Sequence, residues 1–331
     1  MQGMLILVLV ATFFLSLIAT CFFKQIALKK ALLDIPNDRS SHKIPIPRGA
    51  GIVFVSIFYA LCFTLWYGQQ INPSLFLALL GGIPITILGY LDDLYSISSR
   101  WRFLVHVGAA IWFVFCLGVT GFLSALLVIV MTAWLINLYN FMDGIDGLAA
   151  SEAVFTLIAA AIVLWIMKRD YSVIMLCVGL SGAILGFLYW NWPPAKLFMG
   201  DTGSGFLGYC FSVMIFSTAS HSNELPVMFW FLLLGVFLTD STYTLLMRIK
   251  QRKPWREAHR EHIYQRLVDK GLKHHQVTLG VLGINCFILL PLALYVIQVH
   301  SSIQTVLFSI ASTGVSLLIW YILYIKVRTR N

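Results

Sequence analysis

Five carboxylates occupy positions where a merely solvated charge is out of place. Asp92 and Asp93 are adjacent, Asp143 and Asp146 stand three residues apart, and Asp201 opens Asp201-Thr-Gly-Ser-Gly205. All five lie in short, apolar or glycine-rich surroundings rather than in charge runs. Two neighbouring carboxylates repel and are costly to desolvate, so Asp92 and Asp93 call for a divalent cation or for a nearby Arg100 or Arg102. One acid is then available as a base or a phosphate-positioning group while the other supports a metal. In Asn137-Leu-Tyr-Asn140-Phe-Met-Asp143-Gly-Ile-Asp146-Gly147 the polar residues recur every three positions, so that each pair shares a face if the segment is helical or turn-like. The Asp-Gly steps open the backbone to close approach. The spacing is not that of an EF-hand, which needs D-x-D-x-D-G and a closing Glu. Asp201, followed by two hydroxyls and two glycines, suits an oxygen-ligand cradle at a helix N-terminus, where amides also favour phosphate.

Two further loops supply cations. The segment from Asp34 to Gly51 carries Arg39, His42, Lys43 and Arg48 beside Ser40 and Ser41, a composition suited to a phosphate clamp. Its prolines and glycines cannot continue a helix. The loop from Arg248 to Gln276 carries His259 and His262 one helical turn apart. No Cys or Glu has fitting zinc-site spacing and the neighbours are basic, so phosphate contact is the better chemistry; the plainer reading is an amphipathic loop on anionic lipid.

These loops need elements to hold them, and composition says which. Of 331 residues, 59% are hydrophobic and 11% charged, against about 25% charged in a globular chain. Mean hydropathy is +0.85. This composition predicts an all-α, polytopic membrane protein. Breaks at Gly, Pro and charge clusters predict about eleven spans, near residues 3–23, 49–67, 74–91, 103–119, 122–139, 148–167, 171–189, 204–219, 227–246, 277–298 and 302–325. The first reads as a retained helix, since no basic n-region or A-x-A-type site flanks it. Cys21, Cys62, Cys116, Cys177, Cys210 and Cys286 all fall in apolar runs with no C-x-x-C pair, so they frame neither disulfides nor zinc.

With eleven spans, all of the 23 Lys and Arg except Lys168 and Arg169 fall on one side. The positive-inside rule makes that side cytoplasmic, with the N-terminus periplasmic and the C-terminus cytoplasmic. The net charge of +9 therefore reads as topology and as a surface for diphosphates and anionic lipid, not as nucleic-acid binding. A secondary transporter would also be polytopic and basic inside, but it would carry midplane charges and internal repeats. Here His106, Glu152 and Asp240 are the only candidates, each near a span end, and no repeat is visible.

As an ordered set, Asp34-x-Pro-Asn-x-Arg-Ser-Ser-His-x-x-Pro, Asp92-Asp93, Asn137-x-x-Asn-x-x-Asp-Gly-x-Asp-Gly-Leu-Ala, Phe198-Met-Gly-Asp-Thr-Gly-Ser and His259-x-x-His resemble the polyprenyl-phosphate N-acetylhexosamine-1-phosphate transferases, glycosyltransferase family 4. The resemblance implies one transmembrane transferase domain over residues 1–331, with catalytic loops near 24–48, 92–102, 140–148, 190–204 and 247–276. It implies transfer of a sugar 1-phosphate from a UDP-N-acetylamino sugar to undecaprenyl phosphate, releasing UMP, in a bacterial inner membrane with the active site facing the cytoplasm. Magnesium is the implied cofactor, with Mn²⁺ as a substitute, and a homodimer is a compatible assembly. Carried over, Asp201 is the main metal ligand with Asn140 beside it, and Asp92 and Asp93 are the essential acid pair. Asn137, Asp143 and Asp146 line the nucleotide-sugar and metal pocket, and His259 and His262 meet the diphosphate. Lys43 and Arg48 are added as phosphate contacts from their charge. Ala50 interrupts a usual glycine run, and Tyr264 and Gln265 stand where many relatives have further histidines. The pattern looks more like the enzymes that initiate O-antigen or related surface glycans, as in lipopolysaccharide synthesis, than like the peptidoglycan translocase, with N-acetylglucosamine, N-acetylfucosamine or a related sugar as cargo.

Overall fold

The computed structural model describes residues 2–36, 44–220, 225–253, 259–298, 314–315, 317–318 and 320–325. They form an all-α bundle whose elements run α1 (Gln2–Lys29), α2 (Gly51–Tyr67), α3 (Pro73–Leu80), α4 (Gly82–Tyr95), α5 (Ser99–Leu117), α6 (Phe122–Phe141), α7 (Leu148–Ile166), α8 (Tyr171–Asn191), α9 (Gly200–Ser220), α10 (Val227–Leu233), α11 (Gly235–Lys250), α12 (Ile263–Asp269), α13 (His274–Ile284) and α14 (Leu290–Gln298). A π-helical segment, Asn285–Leu289, joins the last two. The exception to helix is a two-stranded antiparallel ribbon, β1 (Leu33–Asp34) with β2 (Ile46–Pro47), which pairs Leu33 with Pro47 and Asp34 with Ile46.

Seven helices or continuous helical pairs among the described residues are long and apolar enough to cross a membrane, eight if α10 and α11, bent by 80° at Leu234, count as one span. The predicted 74–91 span is the α3–α4 pair, and the predicted 302–325 span lies mostly outside the described residues. The protein is a multi-pass membrane protein.

Its packing inverts the pattern of a water-soluble bundle. On α1, Ile6, Leu7, Phe14, Leu15, Ile18 and Phe22 are exposed, whereas Thr12, Ser16, Thr20 and Ala27 are buried. The first three recur every four residues, one small face of a helix. Lipid is as apolar as leucine, so helices associate through close backbone approach at small residues. The partner is α8, where a Cβ on Gly182 would sit 2.5 Å from the Leu9 carbonyl oxygen and one on Gly186 would sit 2.6 Å from the Leu17 amide nitrogen. Deeper in, Phe54, Phe58, Phe187 and Phe206 fill the space between α2, α8 and α9.

A buried acid lies among the bundle's helices. Glu152 of α7 is 1% exposed and accepts from Asn285 Nδ2 at 2.6 Å, where the π segment begins. Glutamine has the same shape and can keep an oxygen facing the Asn285 amide. Glu152→Gln is therefore expected to fold with nearly unchanged thermal stability. Glu152→Ala, which strands the Asn285 amide, should cost about 1–3 kcal/mol. Melting of the two purified variants side by side checks this, and equal losses would refute it.

Candidate active site

The chemistry-bearing loops gather at one end of the bundle. Helix α4 ends at Ser96, a left-handed residue with φ 52°, and α5 starts three residues later, so the two helices double back on each other. That turn returns Arg102, in the first turns of α5, to Asp92. Arg102 Nη1 donates to Asp92 Oδ2 at 2.8 Å and to Asp201 Oδ2 at 2.7 Å. The other oxygen of Asp92 accepts from the Ile97 amide at 2.5 Å. A carboxylate near a helix C-terminus opposes the helix dipole, and these two donors offset that cost.

Asp93 faces elsewhere. It is 8% exposed and accepts from Thr202 Oγ1 (2.8 Å) and from the amides of Asp201 (3.3 Å) and Thr202 (3.4 Å). It therefore caps the N-terminus of α9 from a neighbouring helix, satisfying amides that α9 leaves open. The fit is tight: a Cβ on Gly89 of α4 would meet the Asp201 carbonyl oxygen at 2.5 Å. Gly200, with φ +73°, also lies directly against the Asp93 carboxylate. The first loop closes the same corner. Ala50 and Gly51 amides donate to the carbonyls of Phe198 (3.1 Å) and Met199 (2.9 Å), and Phe198 N donates to Pro47 O (2.8 Å). Arg48 lies 3.9 Å from Asp34 beside this strap, while Lys43 falls outside the described residues.

The Asn-Asp motif spans the end of α6 and the turn into α7. Asn140 Nδ2 donates to Ser204 Oγ of α9 at 3.1 Å, which leaves the Asn140 carbonyl oxygen without that bond. Asn137 Nδ2 donates to Ala133 O at 2.7 Å and lies 3.5 Å from His106 Nδ1. Asp143 is partly open at its surface yet densely enclosed. Desolvation, and then the charges of Asp201, Asp93 and Asp146, raise its pKa well above the usual carboxylate range. Asp146 is 8% exposed and is committed to neighbours: its Oδ2 accepts from the Ala195 amide at 3.0 Å and lies 3.2 Å from His274 Nδ1. It links the α8–α9 loop to the start of α13.

His259 and His262 stack at 5.0 Å between ring centres, and His262 stacks on Phe141 at 6.1 Å. Short helix α12 holds them there. Asp240 of α11 accepts from the amides of Ile263 (3.0 Å) and Tyr264 (3.4 Å), from Thr244 Oγ1 (3.1 Å) and from Trp320 Nε1 (3.3 Å). Tyr264 Oη donates to the Phe141 carbonyl at 2.8 Å, and the His262 amide donates to Gln265 Oε1 at 3.3 Å. Tyr264 and Gln265 thus dock and cap the helix that carries the histidines. Glu261 pairs with Arg248 (3.0 Å) and Lys253 (2.8 Å), tying the loop to the end of α11.

Burial first, then the charges of His262 and Arg248, push His259 down to about 4, against the pull of Glu261 and Asp240. His259 is thus neutral at pH 7. Its folded pKa lies below the ordinary value of about 6.5, so the unfolded chain takes up the proton first as pH falls. Its contribution to stability is complete above about pH 6.5 and is lost between there and about pH 4. His259→Asn should remove this component, so the stability gap between variant and wild type should change across that window and be flat above it. Denaturation in detergent at a series of pH values checks it.

No three His, Cys, Asp or Glu side chains among the described residues converge as a metal site. The donor chemistry nonetheless suits a hard cation, since Asp92, Asp201 and Asn140 offer oxygens only. The Arg102 guanidinium between two carboxylates is itself a stand-in cation.

Fold and loop chemistry define a class: a polytopic membrane protein with a carboxylate-rich polar site at one end of its bundle, bordered by cations and histidines. The profile described as "Glycosyl transferase family 4" matches residues 75–219. A Bacillus subtilis protein named as a probable undecaprenyl-phosphate N-acetylglucosaminyl 1-phosphate transferase is 30% identical over 93% of this chain and 86% of its own. An undecaprenyl-phosphate alpha-N-acetylglucosaminyl 1-phosphate transferase of Thermotoga maritima is 30% identical over 79% of this chain and 81% of its own. A phospho-N-acetylmuramoyl-pentapeptide-transferase of Streptococcus thermophilus is 27% identical over 82% and 86%. The chain belongs to the polyprenyl-phosphate N-acetylhexosamine-1-phosphate transferase family.

Proposed function

We propose that the protein transfers an N-acetylamino-sugar 1-phosphate from a UDP-sugar to undecaprenyl phosphate, giving the lipid diphosphate sugar and UMP, as the first step of a surface glycan such as O-antigen. The single observation that carries this reading is the convergence of Asp92, Asp201, Arg102 and Asn140, from four different helices, at the end of the bundle where the Asp143 loop and the His259–His262 stack also lie. The relatives' names support it. Eleven spans, a periplasmic N-terminus, a cytoplasmic C-terminus and a site facing the cytoplasm of a bacterial inner membrane belong to the same reading, on the charge distribution.

Attack of one phosphate on another brings several negative charges together. Asp201, Asn140 and Asp92 would hold the magnesium ion, which supplies electrostatic offset for those charges when bound. Arg102 and Arg48 add positive charge at the site, and Lys43 belongs to the same proposed set. Asp92, whose Oδ1 is anchored by the Ile97 amide, turns Oδ2 toward the site and so helps to place the lipid phosphate. Asp93 supports it by fixing α9, and with it Asp201. Asn137 and Asp143 border the nucleotide-sugar side, and Asp146 holds their loop against Ala195. Neutral His259, with His262, offers ring N–H donors to the diphosphate. Acids at the ends of spanning helices lie in the plane where a lipid-anchored phosphate meets a water-soluble nucleotide.

Purified protein should release UMP from a UDP-N-acetylamino sugar only with undecaprenyl phosphate and Mg²⁺ both present. A panel of UDP-N-acetylglucosamine, UDP-N-acetylfucosamine and UDP-N-acetylmuramoyl-pentapeptide identifies the donor, the last marking the peptidoglycan alternative. No turnover with any donor would refute the reading and favour a transporter.

A further inference from the structure

Arg102 holds the two acids in an unusual way. One nitrogen, Nη1, makes both bonds, at 2.8 Å to Asp92 Oδ2 and 2.7 Å to Asp201 Oδ2. The strong arginine–carboxylate pair is a fork in which two nitrogens meet two oxygens of one acid; here that geometry is not used. The side chain keeps 34% of its surface open, so nothing encloses it against withdrawal. It also sits in the first turns of α5, where a cation opposes the helix dipole. Its position is thus set by the acids rather than by its own helix.

The oxygens it touches are those a metal would need. Asp92 Oδ1 is taken by the Ile97 amide, so Oδ2 is the oxygen that faces outward, and Arg102 occupies it. Asp201 uses its backbone amide on Asp93, and its own carboxylate meets Arg102. A hard divalent ion and a guanidinium cannot both sit between the same two oxygens.

We propose that Arg102 is the resident counter-cation of the Asp92–Asp201 pair and that a divalent ion binds by displacing it, one cation exchanged for another. The exchange rests on the functional reading above and explains how two carboxylates from α4 and α9 stay together before metal arrives. It makes Arg102 a competitor of the metal: its removal tightens metal binding, where loss of a ligand would weaken it.

The test uses full-length protein in detergent and Mn²⁺ alone, with free Mn²⁺ counted by electron paramagnetic resonance. Arg102→Gln should bind Mn²⁺ about tenfold tighter than wild type or more, equivalent to about 1.4 kcal/mol, and Asp201→Asn should lose binding. Unchanged or weaker binding by Arg102→Gln, with wild type binding normally, would overturn the exchange and leave the functional reading standing. Absence of Mn²⁺ binding in wild type and Arg102→Gln alike would overturn both the exchange and the metal part of that reading. A measurement on wild type avoids any folding defect: modification of Arg102 by phenylglyoxal, read by mass spectrometry, should accelerate several-fold when Mn²⁺ is added. An unchanged rate in protein that binds Mn²⁺ would equally overturn the exchange.

Discussion

Asp201→Asn is expected to lower UMP release by about a hundredfold to a thousandfold, the range seen when one electrostatic contact to a charge-developing transition state is lost, while the protein melts near the wild-type temperature. The reasoning separates two jobs at the start of α9. The helix N-terminus is secured by Asp93, through Thr202 and two backbone amides. The Asp201 carboxylate contributes nothing to that cap; it points at Arg102. Asparagine keeps its shape and removes its charge, so the α9 anchor survives and the cation-binding chemistry does not. Asp93→Asn is the comparison that makes the result informative. It weakens a buried cap with three donors and should lower the melting temperature as well as turnover. If Asp201→Asn melts far below wild type, or turns over normally, the division of labour is wrong.

Asp240→Ala is expected to be the most damaging single change outside the acid cluster, by about 3–5 kcal/mol. Asp240 gathers two backbone amides of α12, the Thr244 hydroxyl and the Trp320 indole around one carboxylate inside the bundle. Removing it leaves those donors buried without an acceptor and frees the segment that carries His259 and His262. The expected signature is local before it is global: limited proteolysis between Lys253 and His274 at temperatures where wild type resists, with UMP release lost in parallel. Thr244→Ala, which removes one of the donors and keeps the carboxylate, should cost about 1 kcal/mol and preserve the resistance. Equal resistance of Asp240→Ala and wild type would show that α12 docks through other contacts.

Much of this architecture is readable in the amino-acid order. Apolar stretches bounded by Gly, Pro and charge mark helices that fall in the described residues, seven or eight spans of which are long and apolar enough to cross a membrane, and the loops that carry the acids meet at one end of the bundle. The division between Asp92 and Asp93 is less visible, although helical geometry contains it: adjacent residues diverge by about 100° around a helix, so they cannot both face one ligand. Which of them turns toward α9 depends on the glycine contacts at Gly89 and Gly200, which no local pattern encodes. Asp240 reads in sequence as a stray charge in a span, because its partners lie in α12 and near Trp320, beyond any local window. His274, which sits against Asp146, is hidden among the basic residues of the last loop. Tyr264 and Gln265 look like departures from a family pattern until their bonds to Phe141 and His262 give them work of their own.

The crossing of α1 with α8 bears on how the chain is made. At about 5–20 residues per second, Gly182 of α8 leaves the ribosome about 8–35 seconds after Thr12, which it will meet. Throughout that interval α1 must reside in the bilayer without its partner. It is equipped for this, being the most hydrophobic of the spanning helices among the described residues, with the Thr12 hydroxyl bonded back to the Val8 carbonyl of its own helix at 2.8 Å. The Thr12 hydroxyl that later seats against Gly182 of α8 is thus satisfied while it waits, in a helix that lipid alone can hold.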